Sequence, residues 1–212
     1  MESMHTKRNE LFAEKVIKAL ESRNHEAYYA ASAEAALAKA LELIPEGSSV
    51  GWGGSMTTEA IGLNEAVRKG NYNALDRDAA NSLEERAAIV RSHNTADFFL
   101  TSSNALTEDG IMVNIDGTGN RVSCLSFGPE NIIMVISMNK IVKTLDDAMN
   151  RAKYTAAPIN AQRFDINTPC KVTGACADCK SPNRICCSTL ITSYSPVKGR
   201  FKVILVNDEL GY

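Results

Sequence analysis

The first hundred residues alternate between two hydrophobic rhythms. Over residues 6 to 23, Phe12, Val16, Ile17 and Leu20 recur at helical spacing among Lys and Glu, which predicts an amphipathic helix covering a core. Ser32 is placed to cap a second helix, "AEAALAKALELI", which Pro45-Glu46-Gly47 ends in a turn before "SSVGWG", a short strand. The alternation continues. "TTEAIGLNEAVRKG" predicts a helix, "NALDRD" a weak strand or loop, "ANSLEERAAIVRSH" a helix and "DFFLTS" a buried strand. "GIMVNI" and "RVSCLSF" flank "DGTGN", whose Asp-Gly and Gly-Asn pairs suit a hairpin or tight loop, so "RVSCLSF" is expected to be a strand with Cys124 as a small core residue. "NIIMVIS" is the most apolar strand of the chain, a helix is expected from about Thr144 to Thr155, and "RFKVILVN" is a final strand.

Strands alternating with helices favour an α/β fold with a mostly parallel sheet and flanking helices. The 212 residues supply one full core, so a single domain over 1–212 is expected, with a Cys-rich loop at about 168–187 near the C-terminus. Composition then excludes several classes of partner. With 44% hydrophobic and 23% charged residues and a net charge of -2, the chain reads as globular, without the basic field that nucleic acid demands. No stretch approaches the roughly 18 apolar residues of a membrane span, and the first residues lack a secretory pattern, so the expected location is cytoplasmic, away from membranes.

That location changes the meaning of "TPCKVTGACADCKSPNRICC", residues 168–187, which holds five of the six cysteines. In a reducing compartment, clustered thiols are more often metal ligands or redox groups than structural disulfides. Cys170, Cys176, Cys179 and Cys186 could turn four thiolates toward one centre, suiting either tetrahedral zinc or an iron–sulfur cluster; their spacing chooses neither. Lys171, Lys180 and Arg184 could offset the thiolate charge. Cys187 is a spare thiol, an alternative ligand or a redox partner. The plainer alternative is a loop of reduced thiols, or a disulfide formed on oxidation.

"VGWGGSMTTEAIG" ends a strand and starts a helix. Gly51, Gly53 and Gly54 permit close backbone approach, and Ser55, Thr57 and Thr58 present hydroxyls and free N–H groups at a helix N-terminus, as an anion or phosphate cradle would. An ordinary capped turn is the alternative, since neither the Walker nor the dinucleotide pattern is matched. Near other strand ends stand Asn104, Asn114, Gly117, Gly119, Asn120 and Arg121 as candidate ligand groups, with Asp109 and Asp116 as acid/base candidates.

In order along the chain, "GWGGSMTTEAIGL", "TSSNALTEDG", "VNIDGTGNRV", "FGPENIIMVISMNKIV", "AAPINAQR" and the cysteine stretch resemble the LUD-domain family, the lactate utilization proteins, in a cysteine-rich subset. The resemblance implies a fold related to ribose-5-phosphate isomerase, glucosamine-phosphate deaminase and CoA-transferases, in which a Gly-rich loop binds phosphate or part of an acyl-CoA. Some members belong to systems that oxidise lactate to pyruvate with iron–sulfur partners. The implied function is a redox or metabolic component for small hydroxyacid oxidation, with an iron–sulfur cluster or zinc at the cysteines, a small-molecule or phosphorylated ligand and a redox protein partner. Two other readings stay open: a phosphate- or CoA-ester-binding enzyme with a structural zinc, and a non-catalytic, metal-bearing interaction module. Whether the chain is itself an enzyme stays open with them, and a homodimer is expected only by analogy of fold class.

Overall fold

Two sheets organise residues 4–212, which the computed structural model describes. In chain order the elements are α1 (Met4–Glu21), β1 (Glu26–Ala30), α2 (Ala33–Glu42), β2 (Ser49–Trp52), α3 (Met56–Ala60), α4 (Leu63–Lys69), β3 (Asn73–Leu75) and α5 (Leu83–Ser92). There follow β4 (Phe98–Thr101), β5 (Ala105–Thr107), β6 (Met112–Asp116), α6 (Asn120–Phe127), β7 (Asn131–Ser137) and β8 (Ile141–Val142). Then come α7 (Leu145–Asn150), a π-helical stretch (Arg151–Ala156), α8 (Ala157–Ala161), α9 (Pro169–Thr173), β9 (Ser188–Thr192) and β10 (Phe201–Val206).

The six-stranded sheet runs β1-β10-β7-β4-β2-β3, and each of its pairings is parallel. Its central strands are apolar on both faces, as burial between two helical layers requires. Alternation along β7 and β10 sends Ile133, Val135, Ile204 and Val206 to one face, where they pack with Ala36 and Ala40 of α2. Ile132, Met134, Val203 and Leu205 go to the other, against Ala13, Val16 and Leu20 of α1. The helix expected from the 6–23 periodicity therefore covers the core as its apolar stripe requires.

A four-stranded sheet, β8-β5-β6-β9, lies outside the sequence expectation; β5–β6 and β6–β9 are antiparallel and β5–β8 is parallel. Two further expectations need correction. "RVSCLSF" is the helix α6, not a strand: Asp116 accepts the backbone N–H groups of Thr118 (3.1 Å), Gly119 (2.9 Å) and Arg121 (3.1 Å), which turns the chain into a helix instead of a hairpin. Cys124 is buried, as expected of a core residue, but on that helix. The single helix expected over "TTEAIGLNEAVRKG" is two, because Gly62 at φ +75° breaks α3 from α4.

Candidate functional site

The C-terminal ends of β2, β4 and β7 open onto one cleft, the usual ligand position on a parallel sheet. After β2, Gly53, Gly54 and Ser55 lead into α3, and Ser55 Oγ caps it by accepting the Thr58 N–H at 3.2 Å. After β4 come Ser102, Ser103 and Asn104, and after β7 comes Lys140. Lys140 is 2% exposed, and its ammonium donates to Thr57 Oγ1 (2.7 Å) and Ser102 Oγ (3.1 Å). Burial, reinforced by the nearby Arg151 and Arg121 guanidinium groups, pulls its pKa down to about 7.

Arg121 stands beside it at the start of α6. It donates to Asn104 Oδ1 (2.8 Å), the Ser102 carbonyl (3.4 Å) and the Ile115 carbonyl, and lies 3.7 Å from Asp116. Burial lowers its pKa while Asp116 opposes that shift; arginine keeps its proton regardless. Arg151 donates to the Asn104 carbonyl from the π-helical stretch, whose extra residue per turn alters where side chains point. Together these residues shape an inner cavity of about 50 Å³, bordered by Gly54, Thr57, Ser102, Arg121 and Lys140, with no carboxylate side chain among the described residues of its lining. Its far wall is Gly211 and Tyr212. At Gly211 (φ +63°) a Cβ would stand 2.5 Å from Thr57 Oγ1 and 3.1 Å from Lys140 Nζ, and the Tyr212 hydroxyl donates to Asn160 Oδ1 at 2.6 Å.

The structure gathers some sequence candidates here and sends others elsewhere. Gly54, Ser55, Thr57, Asn104 and Arg121 border the inner cavity, and Asp116, Gly117 and Asn120 border the outer cleft that continues from it. Thr58 turns inward, its hydroxyl donating to the Ser55 carbonyl, and Gly53 packs against Phe99, Thr101 and Arg121. Gly119 supplies the left-handed turn before α6. Asn114 is fully buried in β6 outside the cleft. Asp109 lies on the β5–β6 turn, paired with Arg23 at 2.8 Å, and does not reach the cleft. Asp116 has its oxygens occupied by backbone N–H groups, which suits a positioning residue. Gly51 leaves room for His93, not for a ligand: a Cβ there would be 2.6 Å from His93 Cδ2. Sequence reasoning missed Lys140, Arg151, Ser102 and Tyr212; the available signal was a lysine just beyond the most apolar parallel strand, in "SMNKIV".

Cys170, Cys176, Cys179, Cys186 and Cys187 border one neighbouring cavity of about 260 Å³, which shares Ile115 and Ala157 with the inner cavity. Arg184 donates to Cys186 Sγ (3.4 Å) and the Asp178 N–H to Cys176 Sγ (3.5 Å). Lys171 instead donates to the Gln162 carbonyl. The thiol-rich donor set has the chemistry for zinc or iron. Among the described residues, however, no three such groups lie close enough to hold an ion. No described helix is long and apolar enough to cross a membrane.

Compared with known families, residues 13–206 match the LUD domain model. A DUF162 family protein from Deinococcus radiodurans is similar in structure, with a TM-score of 0.52 at 15% identity over 94% of this chain and 98% of that one. Ribose 5 phosphate isomerase A from Neisseria gonorrhoeae is a more distant match, with a TM-score of 0.35 at 16% identity over 60% of this chain and 61% of that one. No curated protein matches the sequence.

Proposed function

The chain belongs to the LUD-domain family, and from that premise we propose that it is a lactate-utilization-type component that binds a small hydroxyacid through its carboxylate. One observation carries this reading: Lys140 is buried beside Arg121, whose side chain is 14% exposed, in a cavity with no carboxylate side chain among the described residues of its lining. Buried cations without full compensation are costly, and an incoming anion offsets that cost. Thr57 and Ser102 already orient the Lys140 ammonium, while Asn104 orients Arg121. The bound carboxylate would raise the Lys140 pKa, so binding takes up a proton near neutral pH.

A hydroxyacid held this way has its hydroxyl-bearing carbon free to face the outer cleft. Oxidation to the oxoacid releases two electrons and two protons: a one-electron cluster would relay the electrons one at a time to an external redox protein as the oxidant, and the protons would leave to solvent through the outer cleft. The shared border at Ile115 and Ala157 favours the cysteine cavity as the place for an electron-handling group. Cys170, Cys176, Cys179 and Cys186 would hold it only with their sulfurs drawn closer together than they stand, and Arg184 already donates to Cys186 Sγ. An iron–sulfur cluster, when bound, supplies one-electron transfer; zinc supplies only structure.

Calorimetric titration with lactate tests the anion site. The parent should bind, and Lys140→Met should weaken binding by about tenfold or more, the weight of one charge-assisted hydrogen bond. A parent that does not bind lactate would overturn the proposal.

A further inference from the structure

We propose that the cleft takes a small carboxylic acid carrying a second anionic group, and that Arg77 and Arg163 receive that second group. The inference rests on the carboxylate site at Lys140 and Arg121 and extends it outward. The inner cavity, about 50 Å³, has room for one such group. Past Gly54, Arg121 and Asn160 it continues into an outer cleft of about 270 Å³, bordered also by Arg77, Asn120 and Phe164. A ligand of lactate's size leaves most of that outer space unused.

Arg77 sits on a 3-10 turn (Arg77–Ala79) just after β3, with its side chain 18% exposed and its Nε fully buried and without a hydrogen-bond partner. A guanidinium keeps its charge at any ordinary pH, and this Nε has Asp78 Oδ1 at 3.9 Å, an ion pair beyond hydrogen-bond reach. Neighbouring acids are committed elsewhere. Asp76 accepts from Arg68 at 2.7 Å and Asp78 from Arg86 at 2.8 Å, leaving Asp78 3.9 Å from Arg77. Asp116, at the border of the same cleft, is held by backbone N–H groups and lies beside Arg121.

Arg163 approaches from the opposite wall, beyond α8. Its contacts are neutral: Asn160 Oδ1 at 3.4 Å, the Tyr212 hydroxyl at 3.3 Å and the Phe164 ring at 5.8 Å. Both guanidinium groups converge on Gly54. A Cβ at that position would stand 3.2 Å from Arg77 Nη2 and 4.0 Å from Arg163 Nη1, so the bare glycine backbone is the floor between two cationic forks. Planar forks of this kind match the oxygens of a phosphate or a carboxylate. The cleft is thereby positive at both ends, with Lys140 and Arg121 inside and Arg77 and Arg163 outside.

Titrations with lactate, phosphoglycolate and malate test this and separate the two sources of the second charge. Phosphoglycolate should bind about tenfold tighter than lactate if the outer group is a phosphate, and malate should do so if it is a carboxylate. Arg77→Gln and Arg163→Gln should each reduce that advantage to about threefold or less; Arg163 is exposed, so its replacement leaves the core untouched. Lactate binding with neither doubly charged acid binding tighter would overturn the second subsite and leave the first intact, as would an advantage unchanged in both variants. Failure of all three acids to bind would remove the first site and this one together.

Discussion

Lys140 is where residue-scale energetics and function meet. An amine pulled down to about 7 by burial titrates in the folded protein far below its usual lysine range of about 10.4. The sign follows from linkage: the unfolded chain binds the proton more readily, so stability is greatest at high pH, is lost as pH falls from the unfolded lysine value of about 10.4 toward about 7, and changes little below that. Lys140→Met removes that loss. The unliganded variant should therefore gain more stability relative to the parent at pH 6 than at pH 9, by about 2–3 kcal/mol, read from urea midpoints at both pH values. An equal gain at both would mean that the amine is not desolvated. None of this is visible in the chain, because a lysine's burial is decided by what Thr57, Ser102 and Gly211 place around it. Gly51 shows the same limit: it reads as a ligand-approach glycine, yet it makes room for His93, whose Nε2 lies 2.9 Å from the Leu75 carbonyl.

At the scale of elements, α6 positions Arg121 through the turn that Asp116 organises. Three backbone N–H groups converge on the Asp116 carboxylate, so Asp116→Ala should cost about 1–2 kcal/mol in stability and weaken lactate binding with it. Denaturation and titration of the same preparation check both, and full stability with displaced Arg121 function would detach the helix start from the site. The sequence showed the turn residues but not their use, since Val122 and Cys124 alternate with Ser123 as in a strand, while Phe127 in fact points into solvent. The cysteine loop poses a second elemental question. If it holds metal, protein purified without oxygen should carry near-stoichiometric iron and sulfide, or zinc, and Cys176→Ser should lower it. Unchanged metal content in that variant would exclude Cys176 as a ligand.

For the whole molecule, the parallel sheet was legible because β7 carries an apolar run over residues 132–136 and β10 one over residues 203–206, as strands buried on both faces do. The four-stranded sheet was not, because β5 has three residues and β8 two, too short for alternation to register. The cleft falls between these cases. Its glycine-rich rim could be read directly, but its charge comes from Arg77, Arg121, Lys140 and Arg163, which only the closed fold brings to one place. The chemistry of the cleft depends on that assembled charge receiving an anion. The most direct test is calorimetric titration of lactate into parent and Lys140→Met at pH 6.5 and 8.5. The parent should lose roughly tenfold or more in affinity at the higher pH, as the Lys140 ammonium is lost, and the variant should bind weakly at both. Parent affinity that is absent, or equal at the two pH values and preserved in Lys140→Met, would contradict an anion site built on Lys140.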